Sequence, residues 1–324
     1  MGVFYRHKWL TAIGGIVAAW ICLQAARTFF LPWEHRIRHA LHQSVKNRFP
    51  EAVQKLEKRN GIKPFKESKT PSVNTGGDRV ILVHGLDDPG IIWQNLAPVL
   101  VQKGYQVLVM TYPNDQAVAA STRFFLEQMR LLAIKDVRPV FVVAHSMGGL
   151  VARDMLTNPA YAYAEAAADR KVPAVIQLIM VGTPNHGTQM ARFRIFTEIR
   201  DQIFQLFKPD THWLHCLLDG TGAAGIDLLP QSRFLRQLNQ RPLPKDTSLH
   251  AIAGIISPWP GKGAVKNFLG DGLVSVDSVG LHHVKLTRVN GNHFTMIRNI
   301  ISSSNRMPPA IPAILRLLKS QPPH

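Results

Sequence analysis

The sequence predicts an α/β fold, in which a mostly parallel sheet is covered by helices on both faces. Three observations carry that expectation. Short apolar runs such as Val80-Ile81-Leu82-Val83 and Val140-Phe141-Val142-Val143 are continuous rather than alternating, as in strands buried on both sides. Longer stretches with apolar residues at helical spacing lie between them. The residues with chemical potential fall just after strand ends, where sites gather in open parallel sheets.

The chain has 324 residues, 46% hydrophobic and 18% charged, which is enough apolar material for one large α/β domain. Its only cysteines are Cys22 and Cys216, which excludes a disulfide scaffold and a cysteine-based zinc site. The net charge of +17 raises the question of nucleic acid, so its distribution matters. Residues 1–75 hold 13 Lys and Arg against 4 acids, and the remainder holds 25 against 17. More than half of the excess therefore lies in the first quarter, beside an apolar segment. No basic-aromatic nucleic-acid motif accompanies it. Attraction to anionic lipid headgroups accounts better for the pattern.

Taken in order, residues 1–33 read as an N-terminal membrane anchor. Arg6 and Lys8 precede an uncharged run, Trp9 through Ala26, and Phe29, Phe30 and Trp33 follow at interfacial positions. A cleaved signal sequence is the competing reading, with Leu23-Gln24-Ala25 as its cleavage site. The expected location is the bacterial inner membrane with its side left open, or a secreted or periplasmic one if the segment is removed. Residues 34–77 read as a basic, partly helical stalk with Ile37, Leu41, Val45 and Phe49 at four-residue spacing. They end in the Pro, Ser and Gly linker around Pro71–Gly77.

The catalytic domain is expected over residues 78–324. Strands are predicted at Arg79–Val83, Gln106–Thr111, Val140–Val143, Ile176–Val181 and His283–Val289. Helices are predicted at Ile91–Gln102, Ala117–Lys135 and Met147–Leu156, with a further packed helix around Phe234–Leu238. The alternation breaks over about 187–229. There Phe193, Phe196, Ile199, Ile203 and Phe207 recur at helical spacing among arginines, which suits either a mobile lid or a fixed cap. Gly220–Gly225 offers that insertion a hinge.

Between the strand at Val140 and the helix at Met147 stands Ala144-His145-Ser146-Met147-Gly148. This is the G-x-S-x-G elbow pattern with alanine in the first small position, and it marks Ser146 as the candidate nucleophile. Small residues are needed at 144 and 148 because strand and helix nearly touch there. The amide of Met147, at the helix N-terminus, is one candidate oxyanion donor, and the amide of Leu86 after Val83-His84-Gly85 is the other. His84 itself is expected to be structural. His293, in the loop after a strand and directly before an expected helix, is the candidate general base; His145 is expected to point away from Ser146. Asp271 and Asp277 both offer a carboxylate to orient that base. Asp271, between two glycines in a turn, is the first choice, and Ser146, Asp271 and His293 follow the order Ser, acid, His.

Four motifs carry a resemblance that spans about Gly77 to Leu318: V-H-G-L at 83–86, A-H-S-M-G-G at 144–149, V-G-T-P-N-H-G-T at 181–188, and G-D-G-L-V-S at 270–275 followed by N-H-F at 292–294. The segment resembles the α/β-hydrolases of the bacterial triacylglycerol lipase and esterase kind, and the related PGAP-like serine esterases. The resemblance implies the α/β-hydrolase fold with a cap or lid insertion, and a nucleophile, acid and base at Ser146, Asp271 and His293. It gives the G-T-P loop, with Thr183 and His186, a structural role. It implies cleavage of carboxylic esters, with lipid acyl esters or small esters as substrates. Many such lipases bind a structural calcium, but no carboxylate pair presents itself for one, and no cofactor is expected. Acyl transfer by the same residues and a non-catalytic membrane-bound scaffold are the alternatives. The expected partners are substrate and membrane, without nucleic acid.

Overall fold

In the computed structural model, residues 60–65, 77–86, 90–114, 116–188, 223–256, 269–299 and 306–319 are described. Strand β1 is Gly61–Pro64, β2 Arg79–Val83, β3 Gln106–Thr111, β4 Val140–His145, β5 Val175–Val181, β6 Ser248–Ile255 and β7 Lys285–Asn290. They form a seven-stranded sheet in the order β1-β3-β2-β4-β5-β6-β7. Every pairing is parallel except β1 with β3. All residues of β2 and β4 are buried, which is why Val80–Val83 and Val140–Ala144 are continuously apolar.

The helices are α1 (Leu96–Gln102), α2 (Val118–Lys135), α3 (Met147–Thr157), α4 (Tyr163–Ala168), α5 (Ala223–Asp227), α6 (Arg233–Gln240), α7 (Val276–Val279) and α8 (Ala310–Lys319). Successive strand residues face opposite sides of the sheet, and the core divides accordingly. Ile81, Val83 and Val142 pack with Phe125 of α2, Leu150 of α3 and Leu235 of α6. Val80, Leu82 and Val143 pack with Leu96 of α1 and with Ile311 and Ile314 of α8. The expected α/β-hydrolase architecture, a mostly parallel sheet with helices on both faces, is what the chain adopts.

From β2 the chain crosses to β3 on one side, and then to β4 on the other. That reversal leaves a crevice at the carboxyl ends of β2 and β4, the place where open α/β sheets bind ligands. The two motifs of greatest interest, His84–Leu86 and Ala144–Gly148, sit there.

Several expectations are revised. The helix expected over Ile91–Gln102 is split into a single 3₁₀ turn at Ile91–Trp93 and α1. A continuous helix would drive the Pro98 ring against the carbonyl of Gln94. The freed side chains instead dock the loop after β7: Gln94 Nε2 donates to the carbonyl of Asn299 at 3.0 Å, and the Asn299 N–H to Asn95 Oδ1 at 2.8 Å. Strand β1 falls inside the segment read as stalk, so the sheet recruits residues before Asp78. Strand β6 was not anticipated. The last predicted strand begins two residues late, because His283 takes a positive φ of 63° in the turn before it. Gly225, expected in a hinge, lies within α5.

The run Trp9–Ala26, the stalk before residue 60 and positions 189–222 of the insertion lie outside the described residues. The insertion's two ends are joined, with Thr188 N–H donating to the Leu228 carbonyl at 2.9 Å. Among the described residues no helix is long and apolar enough to cross a membrane.

Candidate active site

The elbow begins with a backbone constraint. Ser146 has φ 52° and ψ −128°, a conformation rarely adopted by a residue with a side chain and retained only where its surroundings enforce it. Here the Ser146 N–H donates to the Val181 carbonyl on β5 at 2.8 Å, and the Gly149 N–H returns to the Ser146 carbonyl at 3.1 Å. A Cβ placed on Gly148 would lie 2.4 Å from the His84 carbonyl oxygen and 2.5 Å from that of Val83. The start of α3 therefore lies against the end of β2, and only a residue without a side chain fits. Ala144, in the first small position, is fully buried and accommodated.

The neighbouring loop approaches as closely. A Cβ on Gly85 would stand 2.7 Å from Ser146 Cβ and 3.3 Å from Ser146 Oγ. Gly85 thus lets the turn carrying Leu86 run alongside the serine. Met147 is buried as the first residue of α3, and Leu86 is half-buried against the same core cluster. His84 is buried and structural as expected: its Nδ1 lies 2.9 Å from the Gly85 carbonyl, its ring stacks on Tyr112 at 4.6 Å, and Tyr112 Oη donates to its carbonyl at 2.7 Å.

Asp271 and His293 are brought together across 22 residues. His293 Nδ1 lies 2.7 Å from Asp271 Oδ2, and the His293 N–H donates to the Asp271 carbonyl at 3.0 Å. Asp271 Oδ1 accepts the N–H groups of Leu273 at 2.9 Å and Val274 at 2.7 Å. The carboxylate, 1% exposed, therefore has a hydrogen-bond donor on each oxygen. Asp277, the second choice, lies exposed in the first turn of α7. The His293 ring lies over Gly182, where a Cβ would come within 3.2 Å of its Cε1 and Nδ1. Gly182 follows Val181, the residue that accepts the Ser146 N–H, so base and serine share one short piece of backbone.

The loop carrying His293 does not lead into a regular helix. Asn292 Oδ1 accepts the N–H groups of Phe294 and Thr295, and Thr295 Oγ1 accepts that of Asn292, closing a capped turn. Helix α8 begins only at Ala310.

Two sets of contacts were not legible in the sequence. The V-G-T-P-N-H-G-T loop, given a structural role by the resemblance, is a strut between the elbow helix and the acid loop. Thr183 packs against Gly149, and Asn185 accepts from buried Arg153 of α3 at 3.1 Å while donating to the Val279 carbonyl at 2.8 Å. Ser278 Oγ then donates to the Gly187 carbonyl at 2.6 Å. Its position after the strand following the elbow helix was the available signal. The second set is that of His145. Its Nε2 lies 3.0 Å from the His293 carbonyl oxygen and the two rings are 4.7 Å apart. Burial, then the neighbouring His293, hold its imidazole well below the ordinary histidine range. Of the other histidines, His250 lies on β6 beside Ser248, and His186 faces Asn239.

A model of the alpha/beta hydrolase family matches residues 80–293. The chain belongs to that family. Lipase BlEst2 of Bacillus licheniformis in its mature form superposes with a TM-score of 0.53 at 20% identity, covering 79% of this chain and 97% of its own. A metagenomic carboxyl esterase gives 0.54 at 20% identity, over 79% and 82%. Phospholipase PlaB of Legionella pneumophila gives 0.53 at 18% identity, over 76% and 60%. At these identities the likeness is one of fold. No curated protein matches the chain by sequence.

Proposed function

We propose that this alpha/beta hydrolase is a serine hydrolase that cleaves carboxylic esters, with lipid acyl esters as the favoured class. The observation that supports it most is the bonded pair of His293 Nδ1 and Asp271 Oδ2, 2.7 Å apart, held beside a serine in a strained turn. With Nδ1–H donated to the carboxylate, Nε2 carries the lone pair and can take the Ser146 proton as Oγ attacks the acyl carbon. The amides of Leu86 and Met147 receive the charge that develops on the carbonyl oxygen. The C–O bond to the alcohol breaks as His293 returns the proton to it. Water, deprotonated by the same nitrogen, then cleaves the acyl-enzyme and frees the serine.

Lipid is favoured by the apolar and basic residues of the insertion and by the N-terminal sequence. The uncharged run Trp9–Ala26 and the basic segment after it would hold the enzyme at a membrane carrying anionic headgroups. Ser146→Ala is the deciding variant: hydrolysis of p-nitrophenyl butyrate and labelling by a fluorophosphonate probe should both vanish, with thermal unfolding unchanged. Wild-type turnover by that variant would refute the mechanism. Sedimentation of the full chain with anionic but not zwitterionic vesicles would support the membrane reading, and no sedimentation with either would remove it.

A further inference from the structure

His145 precedes the nucleophile, is fully enclosed, and has no role in the reaction described above. Its Nε2 faces the main-chain oxygen of His293 at 3.0 Å. A carbonyl only accepts, so Nε2 must carry a proton. The site of the second ring nitrogen, Nδ1, is buried and has no hydrogen-bond partner among the described residues. The imidazole is therefore neutral, with one tautomer set by one acceptor.

The residue at the other end of that bond is held from two other sides. Asp271 accepts from the His293 ring at Nδ1 and from its main-chain N–H through its own carbonyl. Both contacts come from the acid loop, and both would travel with that loop if it moved. The bond from His145 is different in kind. It ties the base to β4, the strand that ends at the nucleophile, and so fixes His293 relative to Ser146 rather than relative to Asp271.

We infer that His145 is a positioning residue for His293, its Nε2–H fixing the base loop to the nucleophile strand through the His293 carbonyl. The inference rests on the assignment of Ser146 and His293 given above. The ring-to-ring contact at 4.7 Å, with Trp93 edge-on to His145 at 6.5 Å, leaves the donor little freedom to turn elsewhere. A neutral neighbour is also compatible with the imidazolium that His293 becomes during turnover, whereas a second cation at this distance would oppose it.

Gln places an N–H donor at the same number of bonds from Cβ as Nε2, and Leu fills similar space without one. His145→Gln should keep kcat within about threefold of wild type, while His145→Leu should lower kcat by about 10- to 100-fold with KM nearly unchanged, the range expected for misplacing one catalytic group by an ångström or less. The low-field proton resonance of the Asp271–His293 bond should persist in the Gln variant and broaden in the Leu variant. Equal loss in both variants with native unfolding temperatures, or full activity in His145→Leu, would overturn the inference. A measurement on the wild-type protein covers the case in which neither variant folds: nitrogen chemical shifts of His145 should report the Nε2–H tautomer, and an Nδ1–H tautomer would refute the bond. Activity surviving Ser146→Ala would instead refute the underlying mechanism, whatever the His145 variants do.

Discussion

Asp271→Asn tests the assignment of the acid, and the structure dictates how it should fail. Oδ1 of Asp271 accepts two backbone N–H groups, from Leu273 at 2.9 Å and Val274 at 2.7 Å, and Oδ2 faces His293 Nδ1 at 2.7 Å. An asparagine must choose which side receives its NH2. Turning the NH2 toward Leu273 and Val274 sets donors against donors and leaves both N–H groups unpaired, at about 1–3 kcal/mol for the buried one of Val274. The side-chain oxygen therefore keeps those two bonds, and the NH2 faces His293. An NH2 cannot accept, so the imidazole adopts the opposite tautomer, with Nδ1 as acceptor and the proton on Nε2. The nitrogen facing the serine then cannot take its proton. An acid-to-amide change with this consequence lowers kcat by about 10⁴-fold, or about 5.4 kcal/mol of transition-state stabilisation. The assay is kcat/KM on p-nitrophenyl esters with an active-site titrant to count competent enzyme, alongside unfolding temperature. Asp277→Asn, an exposed change in the first turn of α7, should stay within about threefold of wild type. An Asp271→Asn enzyme within tenfold of wild type, or the large loss appearing at Asp277 instead, would refute the reasoning.

Three further predictions concern stability. Gly148→Ala sets a methyl 2.4 Å from a main-chain oxygen of the loop after β2, an overpacking that should cost about 1–3 kcal/mol or more and lower the unfolding temperature; an unchanged midpoint would contradict the elbow packing. Asp154, 1% exposed on α3, pairs with Arg241 beside buried Arg153, whose guanidinium burial pulls down to about 10. Asp154→Ala leaves cations without their anion, so urea unfolding should show a loss of about 3–5 kcal/mol, and a loss below 1 would count against the pairing. The third prediction is a pH dependence. The His145 imidazole is held well below the 6.5 of the unfolded chain, so above that pH both states are neutral there and it contributes nothing. As pH falls below 6.5 the unfolded chain takes a proton that the native state refuses, and stability should decline by up to about 1.4 kcal/mol per pH unit from this group. His250, lowered by burial and then by Lys285, adds the same sign more weakly. Urea titrations at pH 6.5 and 5.5 read the slope, which His145→Gln should flatten.

Much of the fold was legible because its central strands satisfy a local rule. Residues buried on both faces must be apolar in succession, and β2, β3, β4 and β5 announce themselves to within two residues at each end. Strand β1, Gly61-Ile62-Lys63-Pro64, offers no such run, with one residue buried of four. It is an edge strand, and its Pro64 lacks an N–H that a central position would require. Strand β6 is masked by Ser248 and His250 at its half-buried start, although Ala251–Gly254 are buried. The broken helix at Ile91–Gln102 depended on reading Pro98 as a block on Gln94 rather than as a tolerated residue near a helix start.

The site shows the same division more sharply. Ala144, Gly148 and the serine between them are legible because a close approach of backbones admits no side chain, and that constraint is written in three positions of the sequence. Asp271 was preferred over Asp277 by its place between two glycines, since chain order suits either carboxylate. The structure adds that its two oxygens have complementary tasks, one for the backbone of its own loop and one for His293. No local rule could supply the contact of His145 with His293, 148 positions apart. Its residue type and its strand-end position were both visible. What decides its role is where its side chain lands. That landing point is set by the successive pairings of β4 with β5, β5 with β6 and β6 with β7, whose combined registers bring the loop after β7 to the end of β4. Residues that react are therefore easier to find in a sequence than residues that hold them, because reactivity constrains the residue itself and holding constrains only a distance to another part of the chain.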